Sequence, residues 1–318
     1  MSPDRPPFAS TTLDRDAATR AKPERLRAAW AETGARLLRL RGAEVPVAEG
    51  PERTRLALLP VAGEFVAAEP ETGAAGHLFL GRIDGEPVFA RVEEPAARGT
   101  EAPAAPGRGA GDENERWRPI LEVGAELDEP ERELVAVASA LARWHEQARY
   151  SPRDGELTLP EQGGWARRDV HGAELFPRTD PAVIVLVEHE ERVLLGSNAL
   201  WETGRFSLLA GFVEAGESLE QAVVREVFEE SGVRLGEVEY VTSQPWPFPR
   251  SLMLGFRARL APGTDPEALR PDPEEISELR WFTREELRAP GPGILLPGRL
   301  SIARWMIERW IAEGPRGE

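Results

Sequence analysis

Three carboxylates gathered at helical spacing are the residues in this chain best suited to do chemistry. Glu226, Glu229 and Glu230 follow Arg225 in the run Arg225-Glu-Val-Phe-Glu-Glu-Ser-Gly-Val233. On a helix, residues three and four apart share a side, so these acids repel one another by about 0.2–0.5 kcal/mol per pair. Arg225, four before Glu229, offsets part of that cost. Carboxylates gathered beside the glycine-bounded loop from Gly211 to Glu217 point to neutralisation by hard cations with oxygen ligands, Mg²⁺ or Mn²⁺. Such ions let an acidic protein hold a diphosphate, and they lower the pKa of a bound water so that it can attack phosphorus. The plain alternative is a solvated acidic helix face. Seven residues fixed at these spacings arise by chance in roughly one chain in 10⁴ at ordinary compositions, which favours a site.

A second array stands thirteen residues beyond Glu230, Ser243-Gln-Pro-Trp-Pro-Phe-Pro-Arg-Ser251. Pro245, Pro247 and Pro249 hold the chain extended and remove backbone donors. That leaves Trp246 and Phe248 on a stiff platform suited to a base or a nicotinamide ring. A proline-rich edge segment or partner ligand is the alternative; the residue three after Pro245 is Phe248, so PxxP spacing is lacking.

The elements that position these residues lie in the second half of the chain. A helix over Leu219–Ser231 is bounded by Ser218 and Gln221 as a capping box and by Gly232 at its exit. Leu219, Ala222, Val223 and Val227 form its buried face. Strands are expected at Ala182–Val187, Arg192–Leu195, Ser207–Leu209, Glu237–Thr242, Leu252–Leu260 and Arg280–Phe282, with a last helix over Ser301–Ala312. Strands interleaved with helices imply a mixed sheet covered on both faces. The first half shows a short strand at Arg55–Val61 and a hairpin, His77–Arg82 and Pro87–Val92, around Asp84-Gly85. A Pro-, Ala- and Gly-rich loop from Glu93 to Asn114 and a helix from Pro130 to Ala148 follow. Tyr150 to Phe176 reads as a connector with little core of its own.

Composition bounds the function. The chain has 318 residues with 55 acidic against 39 basic, a net charge of −16. Bulk attraction to nucleic acid or an anionic membrane is therefore excluded, and a polyanion would need local Arg clusters or bridging cations. With no cysteine, disulfides, thiol catalysis, iron–sulfur clusters and cysteine-ligated zinc are excluded. Met1–Ser10 is polar and proline-rich, and no run of about 18 apolar residues exists to span a bilayer. The expectation is a cytoplasmic protein without a signal peptide.

The carboxylate run resembles the signature of the Nudix hydrolases, Gly-x5-Glu-x7-Arg-Glu-aliphatic-x-Glu-Glu-x-Gly-aliphatic, at every specified position, with Val227 and Val233 as the aliphatic residues. The second array is similar to the SQPWPFPxS hallmark of the NADH pyrophosphatases within that family. The resemblance implies an α+β fold, a Nudix α/β/α sandwich with a mixed sheet, preceded by a smaller α/β domain. The expected domains are 1–149 as an N-terminal scaffold, 150–176 as a ribbon-like connector and 177–315 as the catalytic domain. By the resemblance, Glu226, Glu229, Glu230, Glu275 and the Ala210 carbonyl hold Mg²⁺ or Mn²⁺, and Arg225 fixes the carboxylates. Phe212, with Phe176 of a dimer mate, sandwiches the nicotinamide. Gln244, Pro245, Trp246, Pro247, Phe248, Pro249, Arg250, Ser251 and Ala303 contact the dinucleotide.

The implied activity is cleavage of the diphosphate of NADH or NAD⁺ to nicotinamide mononucleotide and AMP, and removal of NAD caps from RNA 5′ ends, by a homodimer. Two alternatives stay open. One is a Nudix hydrolase of ADP-ribose or another nucleoside diphosphate derivative; the other is a non-catalytic dinucleotide sensor. The chain departs from the family in its connector. Many members carry a zinc ribbon of two Cys-x2-Cys pairs there, and those places fall on Ser151, Asp154, Arg168 and His171. Arg has no lone pair for a metal, so no zinc is expected, and His171 reads as an ordinary surface or hydrogen-bonded residue.

Overall fold

The computed structural model describes residues 5–50, 53–93 and 115–314. The loop expected from Glu93 to Asn114 lies outside the described residues, apart from Glu93. Two units divide the chain, and it enters each more than once. One holds Ser10–Arg178 and Pro247–Arg250; the other holds the chain start to Ala9, Thr179–Trp246 and the chain from Ser251.

The first unit opens with α1 (Ala17–Arg20) and α2 (Pro23–Trp30). Strands β1 (Arg36–Leu40), β2 (Glu44–Glu49), β3 (Thr54–Leu56), β4 (Leu59–Pro60), β5 (Leu78–Ile83), β6 (Glu86–Val92) and β7 (Glu115–Pro119) follow. They form two sheets, ordered β4-β1-β6-β5 and β3-β2-β7. β5 and β6 make the expected hairpin, with Asp84 and Gly85 at φ 52° and 83°, the left-handed values a two-residue turn requires. Arg55–Val61 is not one strand: it splits between β3 and β4, which join different sheets. Next come α3 (Ile120–Val123) and α4 (Glu129–Gln147), the latter capped reciprocally by Asp128 and Glu131. Period-two alternation puts a helix on each face of the larger sheet. Leu38, Leu78, Leu80 and Ala90 pack with Leu134, Ala138 and Leu141 of α4, while Phe79 and Phe89 pack with Leu26 and Trp30 of α2.

The connector is more structured than its weak periodicity suggests. β8 (Leu159–Glu161), β9 (Ala166–Arg168) and β10 (Glu174–Leu175) form an antiparallel sheet, β10-β9-β8. Its anchor is polar, which periodicity of apolar residues cannot reveal. The wholly buried Arg167 donates from Nε to Thr158 Oγ1 (2.7 Å), from Nη1 to His145 Nδ1 (2.8 Å), and from Nη2 to the carbonyls of Gly73 (2.8 Å) and Thr158 (2.7 Å). At the four ribbon positions, Ser151 accepts from the Arg153 amide and Asp154 pairs with His171 at 3.0 Å. Arg168 pairs with Glu161 and Glu174.

The second unit is built on β11 (Asp180–His189), β12 (Arg192–Asn198), β13 (Leu209–Phe212), α5 (Leu219–Ser231), β14 (Leu235–Trp246), β15 (Ser251–Leu260), β16 (Ile276–Thr283), α6 (Arg284–Arg288) and α7 (Ile302–Glu313). The strand order is β14-β15-β11-β12-β16, and β13 also pairs with β11. Only the β11–β15 pair is parallel, so the sheet is mixed. β11 explains the layers. Val183, Val185 and Val187 face Ala222, Val223 and Val227 of α5, and Ile184 and Leu186 face Trp305, Met306 and Trp310 of α7. A sheet between two helical layers, an α/β/α sandwich of the α+β class, is the result. Among the described residues no helix is long and apolar enough to cross a membrane.

Two buried histidines of the first unit must be neutral on geometric grounds. His145 Nδ1 accepts from Arg167 while Nε2 lies 2.8 Å from the Gly164 carbonyl, and His77 Nδ1 accepts from the Val66 amide at 3.0 Å. Burial, assisted by the Arg167 and Arg91 charges respectively, pushes each down to about 4. The unfolded chain takes up these protons near 6.5 and the folded one only near 4. The stability they contribute is therefore intact above pH 6.5 and lost as pH falls toward 4, at about 3 kcal/mol each. The urea midpoint of the parent relative to that of His145→Gln should decline as pH is lowered from 6.5 to 4, the difference isolating this histidine from the carboxylates that titrate in the opposite sense.

Candidate active site

The site starts from how α5 meets β13. Ser218 Oγ accepts from the Gln221 amide at 3.2 Å while Gln221 Oε1 accepts from the Ser218 amide at 2.8 Å, and Gly232, at φ 76°, ends the helix as expected. With Ala222, Val223 and Val227 buried, the side bearing Glu226 and Glu230 is turned toward β13. Glu230 is 6% exposed, and its Oε2 accepts from the Ala210 amide at 3.2 Å. Glu226 lies against Gly211: a Cβ there would sit 2.0–2.2 Å from the Glu226 carboxyl atoms. That position is glycine because the carboxylate fills the side-chain space.

Arg225 organises the rest. Its Nε and Nη2 donate to the two carboxylate oxygens of Glu217 at 2.8 and 2.9 Å, and Nη2 also reaches the Phe212 carbonyl at 2.9 Å. Its Nη1 lies 2.9 Å from Glu226 and 3.0 Å from Glu229. Glu217 stands within the signature, and the clustering of acids on the helix does not assign it a task. Its fixed place eight before Arg225 is the signal that could have assigned it. The bidentate pair holds Glu217 down at about 2 and Arg225 fully charged.

The electrostatics single out Glu230. Burial, then the charge of Glu226, push its carboxyl up to about 8, and Glu275 and Asp272 add to the effect. Glu226 is raised too, chiefly by burial, against the pull of Arg225. No motif or spacing in the sequence marks Asp272. Among the described residues no cation of the protein pairs with Glu230, whereas Glu226 and Glu229 share Arg225. No group of three or more acidic or imidazole side chains converges into a ready-made metal cage among those residues. The fit to a divalent cation therefore rests on a nearly sealed, uncompensated carboxylate beside a second one.

The remaining candidates fall in different places. Phe212, at the end of β13, is exposed, and so is Glu275 just before β16. Pro245 and Trp246 end β14, an edge strand, where a proline breaks no inner ladder; Ser251 opens β15. Gln244 does not offer its amide to a ligand. It is fully buried, donating to the carbonyls of Pro7 and Leu300 and accepting from the Ile302 amide. Ala303 is likewise buried, within the α7 side of the core. Pro247–Arg250 belong to the first unit, where Phe248 packs on the core with the Arg143 guanidinium over its ring and Arg250 donates to Gln147. The expected Trp246–Phe248 platform is thus divided between two units. Phe176 is exposed in the first unit.

A mixed sheet held between two helices, with an acidic helix docked on a glycine of a short strand, defines a class of domain. Residues 178–304 match the NUDIX domain family. Over 202 residues the chain is 48% identical to a protein named NAD-capped RNA hydrolase NudC from Mycobacterium bovis, covering 60% of this chain and 64% of that one. Over 207 residues it is 39% identical to NAD-capped RNA hydrolase NUDT12 of Homo sapiens, covering 60% of this chain and 44% of that one. The chain thus spans less than two thirds of the length of either relative. A crystal structure of a NUDIX hydrolase from Nitrosomonas europaea aligns with a TM-score of 0.42 at 24% identity, over 52% of this chain and 92% of that one.

Gly211→Ala should destabilise the protein by about 1–3 kcal/mol, because the new methyl group must displace the Glu226 carboxylate. Adding Glu226→Ala in the same chain should recover most of the loss. Urea unfolding in chelator, arranged as a double-mutant cycle, checks both; an additive result would show that the two positions do not touch.

Proposed function

We propose that this chain is a hydrolase that cleaves the diphosphate of NADH or NAD⁺ to nicotinamide mononucleotide and AMP with Mg²⁺ or Mn²⁺, and that it acts likewise on NAD-capped RNA 5′ ends. The observation that carries the reading is the buried Glu230 carboxylate, without a protein cation among the described residues, set beside Glu226 on the family's signature helix. The names of the two relatives support the substrate class. Glu226, Glu229, Glu230, Glu275 and the Ala210 carbonyl would hold the ions, which when bound would neutralise the diphosphate and acidify a water.

The chain's own residues do the positioning. Arg225, clamped by Glu217, keeps Glu226 and Glu229 at fixed places while contributing one positive charge to a strongly acidic patch. Glu230, held by the Ala210 amide, presents a carboxyl whose ionisation is costly until a cation arrives. Exposed Phe212 and half-buried Trp246 supply flat apolar surfaces for the rings of a dinucleotide. Phe176 of a second copy would complete the nicotinamide sandwich in a homodimer. No zinc is required, since the Arg167 network orders the ribbon-like sheet. A diphosphate bridged by cations would also explain how a chain of net charge −16 takes an anionic substrate.

Incubation with NADH and Mn²⁺, read by product mass, should yield AMP and reduced nicotinamide mononucleotide, and chelator should abolish both. Glu230→Gln should lower kcat by at least about 100-fold. Hydrolysis of ADP-ribose far faster than NADH would favour the related diphosphatase. NADH binding without turnover under either metal would favour a sensor.

A further inference from the structure

The first residues of the chain belong to the catalytic unit, not to the sequence-adjacent N-terminal one. Pro6, Pro7 and Phe8 are buried, and the Ala9 amide closes a turn onto the Pro6 carbonyl at 3.3 Å. Phe8 occupies the third position of that turn at φ 66°, a value ordinarily left to Gly or Asn. An aromatic residue in the left-handed region costs free energy and persists only where its surroundings over-determine it. Contacts with Trp246 and Gln244 contribute here. The Phe8 ring, 4% exposed, meets Trp246 edge-to-face, with centroids 6.1 Å apart and planes at 74°. The buried Gln244 amide donates to the Pro7 carbonyl at 2.8 Å, and also ties the Leu300 carbonyl and the Ile302 amide at the start of α7 to β14.

We propose that Phe8 is a positioning residue for Trp246: the chain start is latched by Gln244 so that the Phe8 ring holds the indole fixed for an incoming aromatic ring. Trp246 lies at the end of an edge strand and is only half-buried, and the Phe8 ring is one of the groups packed against it. A ligand ring stacking on a braced indole loses less freedom than one stacking on a mobile indole, which bears on affinity more than on the chemical step. The inference rests on the function proposed above, in which Trp246 meets the dinucleotide. It adds a residue that no signature spacing marks.

The test is steady-state kinetics of the full chain with NADH and Mn²⁺, beside a thermal melt. Phe8→Ala should raise KM roughly three- to tenfold with kcat within about twofold, and Phe8→Tyr, which keeps the ring, should restore the parent KM. If Phe8→Ala does not fold, Phe8→Leu keeps most of the apolar volume without the edge-on contact, and should still raise KM. An unchanged KM in whichever of these variants folds overturns the inference, as does a fall in kcat with KM constant. A parent chain active on NADH whose Phe8 variants behave as the parent refutes Phe8 alone. A parent chain that neither binds nor cleaves NADH removes the functional reading and the inference together.

Discussion

Glu230 is ionisable, nearly sealed from water and faced by the carboxylate of Glu226, and among the described residues no protein cation answers it. Much of the second unit serves to hold it there. The valines of β11 and α5 fix the helix against the sheet, Ser218 and Gly232 fix where the helix starts and stops, and the Ala210 amide fixes the carboxylate itself. A carboxylate so placed costs the metal-free fold stability, because desolvation disfavours its charged form. Arg225 relieves Glu226 and Glu229 but is itself saturated by Glu217 and the Phe212 carbonyl, so it has nothing left for Glu230. Sites that trade stability for a poised group are the common condition of catalytic proteins.

The helix, its caps and the carboxylate array were legible because each follows a local rule. Side chains three and four apart share a face, a serine followed three residues later by glutamine caps, and a glycine exits. The hairpin at Asp84-Gly85 was legible for a similar reason, since only residues tolerant of positive φ make that turn. What escaped the reading was held together by contacts distant in sequence. Arg167 draws on Gly73, His145 and Thr158, up to 94 residues away, and its burial is invisible to a scan for apolar periodicity. Asp272 joins the field around Glu230 only through the fold.

The Pro-Trp-Pro-Phe array shows the same limit in a more instructive way. Proline spacing gave a stiff, extended segment, and the edge position of β14 agrees with it. Stiffness does not decide on which body each ring lands. Trp246 closes a strand of one unit, and two residues later Phe248 is packed on the core of the other. Gln244, which the resemblance counts among the dinucleotide contacts, spends three hydrogen bonds on backbone groups of Pro7, Leu300 and Ile302. A buried amide with both N–H groups given to backbone carbonyls acts as a fastener.

That fastening has a consequence for modularity. Because the described residues up to Ala9 fall in the same unit as Thr179–Trp246, the half that carries the carboxylate helix is not one continuous piece of chain. A gene cut at the evident boundary near residue 177 would delete the strand of backbone that covers Gln244, leaving a donor orphaned in an apolar interior and a hollow where Phe8 stood. Evolution by swapping whole domains at that boundary would meet the same obstacle.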